Sequence, residues 1–142
     1  MTVDRSVGVP RVSIGLPVYN GANYLADALD SICHQSFGDF ELIVADNAST
    51  DGTEAICREF AARDPRIKVM TSETNSGPLL AWRKLLYAAS APYCTWVWSD
   101  DLIMPRYVEV LLAALEKNPK HLLAGCNAYR YYYPTDPNIP VP

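Results

Sequence analysis

The chain has 142 residues, 49% hydrophobic and 20% charged, which is enough to bury one real core and too little for two. Twelve basic residues against sixteen acidic ones leave a formal charge of -4 with no lysine or arginine stripe, so a nucleic-acid backbone is excluded as the main partner. Cys33, Cys57, Cys94 and Cys126 are scattered without close pairs, which excludes a zinc or redox motif and predicts buried free thiols in a reducing cytosol.

In chain order, Met1 to Arg11 holds no apolar stretch fit for a signal peptide, and no later segment approaches the ~20 apolar residues of a membrane span. A cytoplasmic domain without a membrane span is expected. The first β-leaning run is Val12 to Leu16, and Leu25, Ala28, Leu29 and Ile32 then follow the spacing of one helix face. A second run, Glu41 to Ala45, leads to a helix whose apolar face is predicted at Ala55, Ile56 and Phe60. The third run, Ile67 to Met70, precedes a helix from about Leu79 to Ala89. The fourth, Tyr93 to Trp98, precedes a helix starting near Pro105 that buries Val108, Leu111, Leu112 and Leu115, and a fifth strand is predicted at Leu122 to Cys126.

Strand and helix in near-even alternation predict an α/β fold, a mostly parallel sheet with helices on both faces. One domain over residues 1–133 is expected. Pro134, Pro137, Pro140 and Pro142 make residues 134–142 an extended tail, and an ending of this kind suggests a chain truncated at its C-terminus.

In such sheets the loops leaving the carboxyl ends of the strands form the binding crevice. Here they carry Pro17-Val18-Tyr19-Asn20, Asp46 to Thr53, Glu73 to Gly77 and Ser99-Asp100-Asp101. An aromatic to stack on a base, a carboxylate to accept from a ring N–H and a pair of acids to hold Mg2+ or Mn2+ against phosphate suit a nucleotide bound through a metal. Adjacent acids after an apolar run resist desolvation, so Asp100 and Asp101 point to a cation. Plainer roles compete: Asp51 and Thr53 suit the cap of the second helix, Asn75 and Gly77 suit a turn, and Tyr19 could pack on the first helix. His34 and His121 have no nucleophile or acid at a suggestive spacing and are read as structural. No G-x-S-x-G elbow, G-x-G-x-x-G fingerprint or P-loop occurs, so phosphate must be gripped in another way.

Val12-Ser13-Ile14-Gly15-Leu16-Pro17-Val18-Tyr19-Asn20, Asp46-Asn47-Ala48-Ser49-Thr50-Asp51-Gly52-Thr53, Asn75-Ser76-Gly77 and Ser99-Asp100-Asp101, in that order, closely resemble the nucleotide-sugar half of family 2 glycosyltransferases of the GT-A fold. The likeness covers about Val12 to Leu115. It implies substrate contacts from Pro17, Tyr19, Asn20, Asp46, Asn75, Gly77 and Asp100, with Tyr19 flanking the base, Asp46 hydrogen-bonding it, and Asp100 and Asp101 serving the ribose and a metal-bound diphosphate. It implies Mn2+ or Mg2+ as cofactor and a nucleotide diphospho-sugar as donor, UDP-sugar first and GDP- or dTDP-sugar as alternatives. The implied reaction is transfer to a hydroxyl of a glycan or other acceptor, with inversion.

Three departures bear on that implication. Trp98 stands where the commonest family pattern has its first acid, and Ala81-Trp82-Arg83 replaces Ala-Arg-Asn after the third loop. The family's acceptor region and general base are expected beyond the end of this chain, and lacking a base costs on the order of 100- to 10,000-fold in rate. Two competing readings are nucleotidyl transfer, disfavoured by the missing Gly-rich basic loop, and a non-catalytic binding or interaction module that keeps the fold, with dimerisation through exposed apolar surface.

Overall fold

The structure, a computed structural model, describes residues 8–118 and 120–128. The chain forms two compact units, one ending at Val110 and one beginning at Leu111. In the first, β1 (Val12–Val18), α1 (Leu25–Cys33), β2 (Phe40–Asp46), α2 (Thr53–Arg63), β3 (Ile67–Thr71), α3 (Pro78–Ala88) and β4 (Tyr93–Trp96) alternate, and α4 (Tyr107–Glu116) carries the boundary. The strands form one parallel sheet in the order β3-β2-β1-β4, with Val12 opposite Phe40 and Tyr93, and Leu42 opposite Ile67. This is the α/β architecture that the alternation predicts.

β1 and β2 are buried at every position, as central strands covered on both faces must be. Ile43 and Ala45 meet Leu85 of α3, with Met70, Ala88 and Trp96 packed around them. Gly15 lies on this same face. A Cβ there would stand 2.4 Å from the Trp96 ring and 3.4 Å from Leu85, so only glycine leaves room for the indole where it lies. The predicted stripe Leu25, Ala28, Leu29 and Ile32 is buried as a set on α1.

Three expectations are corrected. The buried line of α2 is Thr53 and Cys57, with Ala55 exposed, because the Thr53 hydroxyl finds polar partners inside and can face the core. Residues 122–126 form no strand, and Leu122 and Leu123 stand exposed: an apolar run becomes a strand only beside a partner, and none of the described strands pairs with it. Of the cysteines, Cys57 is buried and Cys33 half-buried, whereas Cys94, on the edge strand, and Cys126 are exposed; all four are free. Burial pushes the Cys33 thiol up to about 11 and that of Cys57 to about 12, which keeps both protonated and inert.

In the second unit the last turns of α4 are followed by residues without regular structure, where the His121 ring meets the Ala114 carbonyl oxygen at 3.2 Å. The Pro-rich tail, residues 134–142, lies outside the described residues. No described helix is long and apolar enough to cross a membrane.

Candidate functional site

The strand order fixes where a crevice opens. From β1 the chain moves to β2 and β3 on one side and returns to place β4 on the other, so β1 and β4 flank the point where the direction of winding reverses. β1 stays paired to β2 as far as Val18, but to β4 only as far as Gly15 opposite Trp96. Past that point the two strands have no ladder between them. Pro17, which has no N–H to give, sits where none is needed on that side.

A cleft of about 220 Å³ opens there, lined by Pro17, Val18, Tyr19, Asn47, Asn75, Pro78, Ala81, Trp98 and Ser99. Three of the predicted substrate residues, Pro17, Tyr19 and Asn75, thus share one wall system. Tyr19 and Trp98 are each about half exposed, at 51% and 45%. Asn47, Trp98 and Ser99 had no assigned ligand role from sequence. Asn47 lay inside a recognised cluster, but its partner is on another loop, and Trp98 registered only as a departure from an acidic pattern.

Asp46 ends β2 opposite Val18 of the cleft wall, and it is 1% exposed. Its Oδ1 accepts from the Ser49 amide at 3.0 Å, while its Oδ2 is buried with no hydrogen-bond partner among the described residues. A carboxylate oxygen in that condition costs free energy unless a donor arrives, so it is the strongest mark of a ligand on this edge.

The loops are tied to one another. The Asn20 amide donates to Ser49 Oγ, the Gly21 amide to Thr53 Oγ1 and the Ala22 amide to Asp51 Oδ2, while Asn20 Oδ1 accepts from the Thr50 amide. Asn20 adopts the left-handed conformation, which asparagine tolerates, and Ala48 adopts it at greater cost. Asp51 Oδ1 accepts from both the amide and the hydroxyl of Thr53, the pair expected to cap α2, although the N-cap position itself is Gly52 and carries no side-chain cap bond; the Thr53 hydroxyl holds Asp51 below the usual carboxylate range. On the next loop, Asn47 donates to Asn75 Oδ1 at 2.7 Å and accepts from the Ser76 amide and hydroxyl; Asn75 Oδ1 also takes the Gly77 amide. Gly77, with φ 79° and ψ 166°, holds a conformation restricted almost to glycine at the start of α3. Asn20 and Gly77 therefore flank the cleft and shape it without lining it.

Asp100 and Asp101 follow Ser99 directly and are exposed. The Asp101 amide donates to the Trp98 carbonyl oxygen, making a turn that sets both acids beyond the cleft. Burial and then the neighbouring Asp100 charge raise the Asp101 pKa, and no described cation pairs with either acid. Further along, this loop is anchored by Gln35, buried at the end of α1: its amide donates to the Met104 carbonyl oxygen and its Oε1 accepts from Val108, while the Ile103 amide donates to Ser31 Oγ. No group of three or more metal-binding side chains occurs among the described residues, so this chain offers a cation two hard carboxylates. That set fits Mg2+ or Mn2+, which commonly take one or two carboxylates and complete their shell with water and phosphate. Arg83 is exposed on α3, two positions and roughly 200° round the helix from Ala81, and does not line the cleft.

A parallel sheet with its crevice at the β1/β4 reversal, edged by a half-satisfied carboxylate and adjacent acids, is the architecture of the GT-A fold. The model of glycosyl transferase family 2 matches residues 13–140, and the chain belongs to that family. EpsE of Bacillus subtilis is 37% identical over 82% of this chain and 42% of its own length. Staphylococcus aureus TarS 1-349, solved with UDP-GlcNAc, superimposes with a TM-score of 0.71 and 31% identity over 75% of this chain and 31% of that one. The mannosyltransferase PcManGT of Pyrobaculum calidifontis, solved with GDP-Man and Mn2+, gives a TM-score of 0.62 and 29% identity over 68% of this chain and 29% of that one. The chain thus spans about two fifths of EpsE and under a third of each solved neighbour.

Proposed function

We propose that this domain binds a nucleotide diphospho-sugar and forms the donor side of an enzyme that transfers the sugar, with inversion, to a hydroxyl of a glycan or other acceptor. The observation that carries the reading is Asp46 Oδ2, buried and without a donor, at the end of a strand whose neighbour bears the exposed Tyr19. Uracil, thymine and guanine each present a ring N–H to such an oxygen, and cytosine and adenine do not. That supports UDP-, dTDP- or GDP-sugars as donors, with UDP-sugar first because TarS was solved with UDP-GlcNAc.

Tyr19 would stack on the base and Pro17 would shape its pocket. Asn20, Asn75 and Gly77 would act by holding the loops in place. Asp100 and Asp101 would hold Mg2+ or Mn2+, whose contribution when bound is to neutralise charge developing on the leaving diphosphate. Their mutual repulsion already favours a cation between them. Inversion rests on the family resemblance, and no described residue is assigned as the base.

A second reading, an interaction module that keeps the fold without turnover, draws on Trp98 in the acid's place. Calorimetric titration with UDP, GDP and dTDP, with and without Mn2+, tests the first. Saturable affinity that needs the metal supports donor binding; silence with all three defeats it and leaves the module.

A further inference from the structure

The acid-bearing segment between β4 and α4, residues 97–106, has no strand or helix of its own to fix it. It is fixed against β1 and α1 instead. At its start the Val97 amide donates to the Gly15 carbonyl oxygen at 3.0 Å. Ser99 then lies against the turn that opens α1, since a Cβ on Gly21 would stand 3.3 Å from Ser99 Oγ. Past the acids the segment is pinned to the far end of the same helix: the Ile103 amide donates to Ser31 Oγ at 3.3 Å, Gln35 Nε2 to the Met104 carbonyl oxygen at 2.8 Å, and the Ser36 amide to the Pro105 carbonyl oxygen at 2.8 Å. Asp100 and Asp101 are thus suspended between two anchored points.

Gln35 is the centre of the far anchor. It is 7% exposed, and both ends of its amide are used: Nε2 donates also to the Ser31 carbonyl oxygen at 3.1 Å, and Oε1 accepts from the Val108 amide at 3.1 Å. That amide belongs to the first turn of α4, where the helix has no acceptor of its own to offer. One buried side chain therefore ties the end of α1, the end of the acid loop and the start of α4 together. We propose that Gln35 is a positioning residue for the cation: by clamping Met104 and Val108 to α1, it holds the Asp100-Asp101 turn where the acids can meet a divalent ion at the edge of the cleft.

The inference rests on the donor-binding reading and adds to it a residue that acts through the backbone alone. Groups that orient metal ligands without touching the metal are worth about 10- to 100-fold in metal affinity. In the full chain, with whichever of UDP, GDP and dTDP the parent binds best, the Mn2+ concentration giving half-maximal nucleotide binding should therefore rise about tenfold in Gln35→Ala. Glu41→Gln controls for lost stability, because its buried node lies with Ser13, Lys68 and Ser90, away from the acid loop; it should melt lower and keep the Mn2+ midpoint within about twofold. A folded Gln35→Ala protein with the parent's Mn2+ midpoint overturns the assignment, and so does an equal rise in Glu41→Gln. Should Gln35→Ala fail to fold, Ser31→Ala takes its place: it removes the acceptor of the Ile103 amide, should melt near the parent and should raise the midpoint about threefold, and an unchanged midpoint there overturns the positioning role. Either result leaves donor binding intact, whereas failure of the parent to bind any of the three nucleotides with Mn2+ overturns both.

Discussion

β2 carries two buried carboxylates, one near each end, and they differ in how fully they are answered. Glu41, 3% exposed, accepts from Ser13 Oγ at 2.6 Å, from the amide and hydroxyl of Ser90, and from Lys68 Nζ at 2.7 Å. Burial pushes its pKa up, but those hydrogen bonds, that from Lys68 foremost, outweigh it and bring it down to about 2. The node joins three strands and the turn before β4. Asp46, at the opposite end, has one oxygen answered by Ser49 and one answered by nothing among the described residues. A buried acid whose partners are all internal is a piece of scaffold; one left half open faces something the chain does not supply.

Asp100 and Asp101 extend the contrast to acids whose neighbour makes matters worse. The largest effect is expected there: Asp101→Ala should lower metal-dependent nucleotide affinity by more than about 100-fold, checked by titration with UDP and Mn2+. Unchanged affinity would remove the acids from the site. Next comes Asp46→Asn, which keeps an oxygen for the Ser49 amide but turns the open position into a donor facing a ring N–H. Affinity should fall between about 10- and 100-fold, with urea stability close to that of the parent.

Glu41→Gln is the converse experiment. It should leave nucleotide affinity within about twofold and cost about 2–3 kcal/mol in urea unfolding, since charge-assisted bonds are lost from a buried node. Because the folded pKa lies below the ordinary 4.5, the stability Glu41 contributes is complete above about pH 4.5 and is lost as pH falls through about 2. The difference in stability between parent and variant should therefore shrink across that window. A variant losing affinity instead of stability would erase the distinction between the two ends of β2.

Much of this was legible in the residues. Continuous apolar runs mark the central strands because a parallel sheet buries both faces, and the rim loops follow from strand ends. The strand order was not legible, and with it the gap between β1 and β4 that makes the cleft. Thr53, expected only as a cap residue, also faces the core, because a polar type can do so when Gly21 and Asp51 answer its hydroxyl. Asn47 and Asn75 were visible singly but not as a pair, since spacing along the chain says nothing about which loops meet. The run at Leu122 shows the opposite error: composition suggested a strand where none of the described strands offers a ladder.

Asn20 sharpens the comparison at its smallest scale, because it is expected as a substrate contact and it also fastens two loops. Its amide and Oδ1 bridge to Ser49 and Thr50, and its φ of 51° is one that asparagine accepts and alanine resists. Asn20→Ala loses the Oδ1 bond and incurs the backbone strain together, and should cost about 1–2 kcal/mol. Asn20→Gly loses only the bond, so it should recover part of the stability while still loosening the loop that presents Tyr19. If the role is fastening, both variants should weaken nucleotide binding only a fewfold, in step with their melting midpoints. A loss above about 10-fold in Asn20→Gly at near-parent stability would instead make Asn20 a direct contact, and would move it from the scaffold side of the comparison to the side of Asp46.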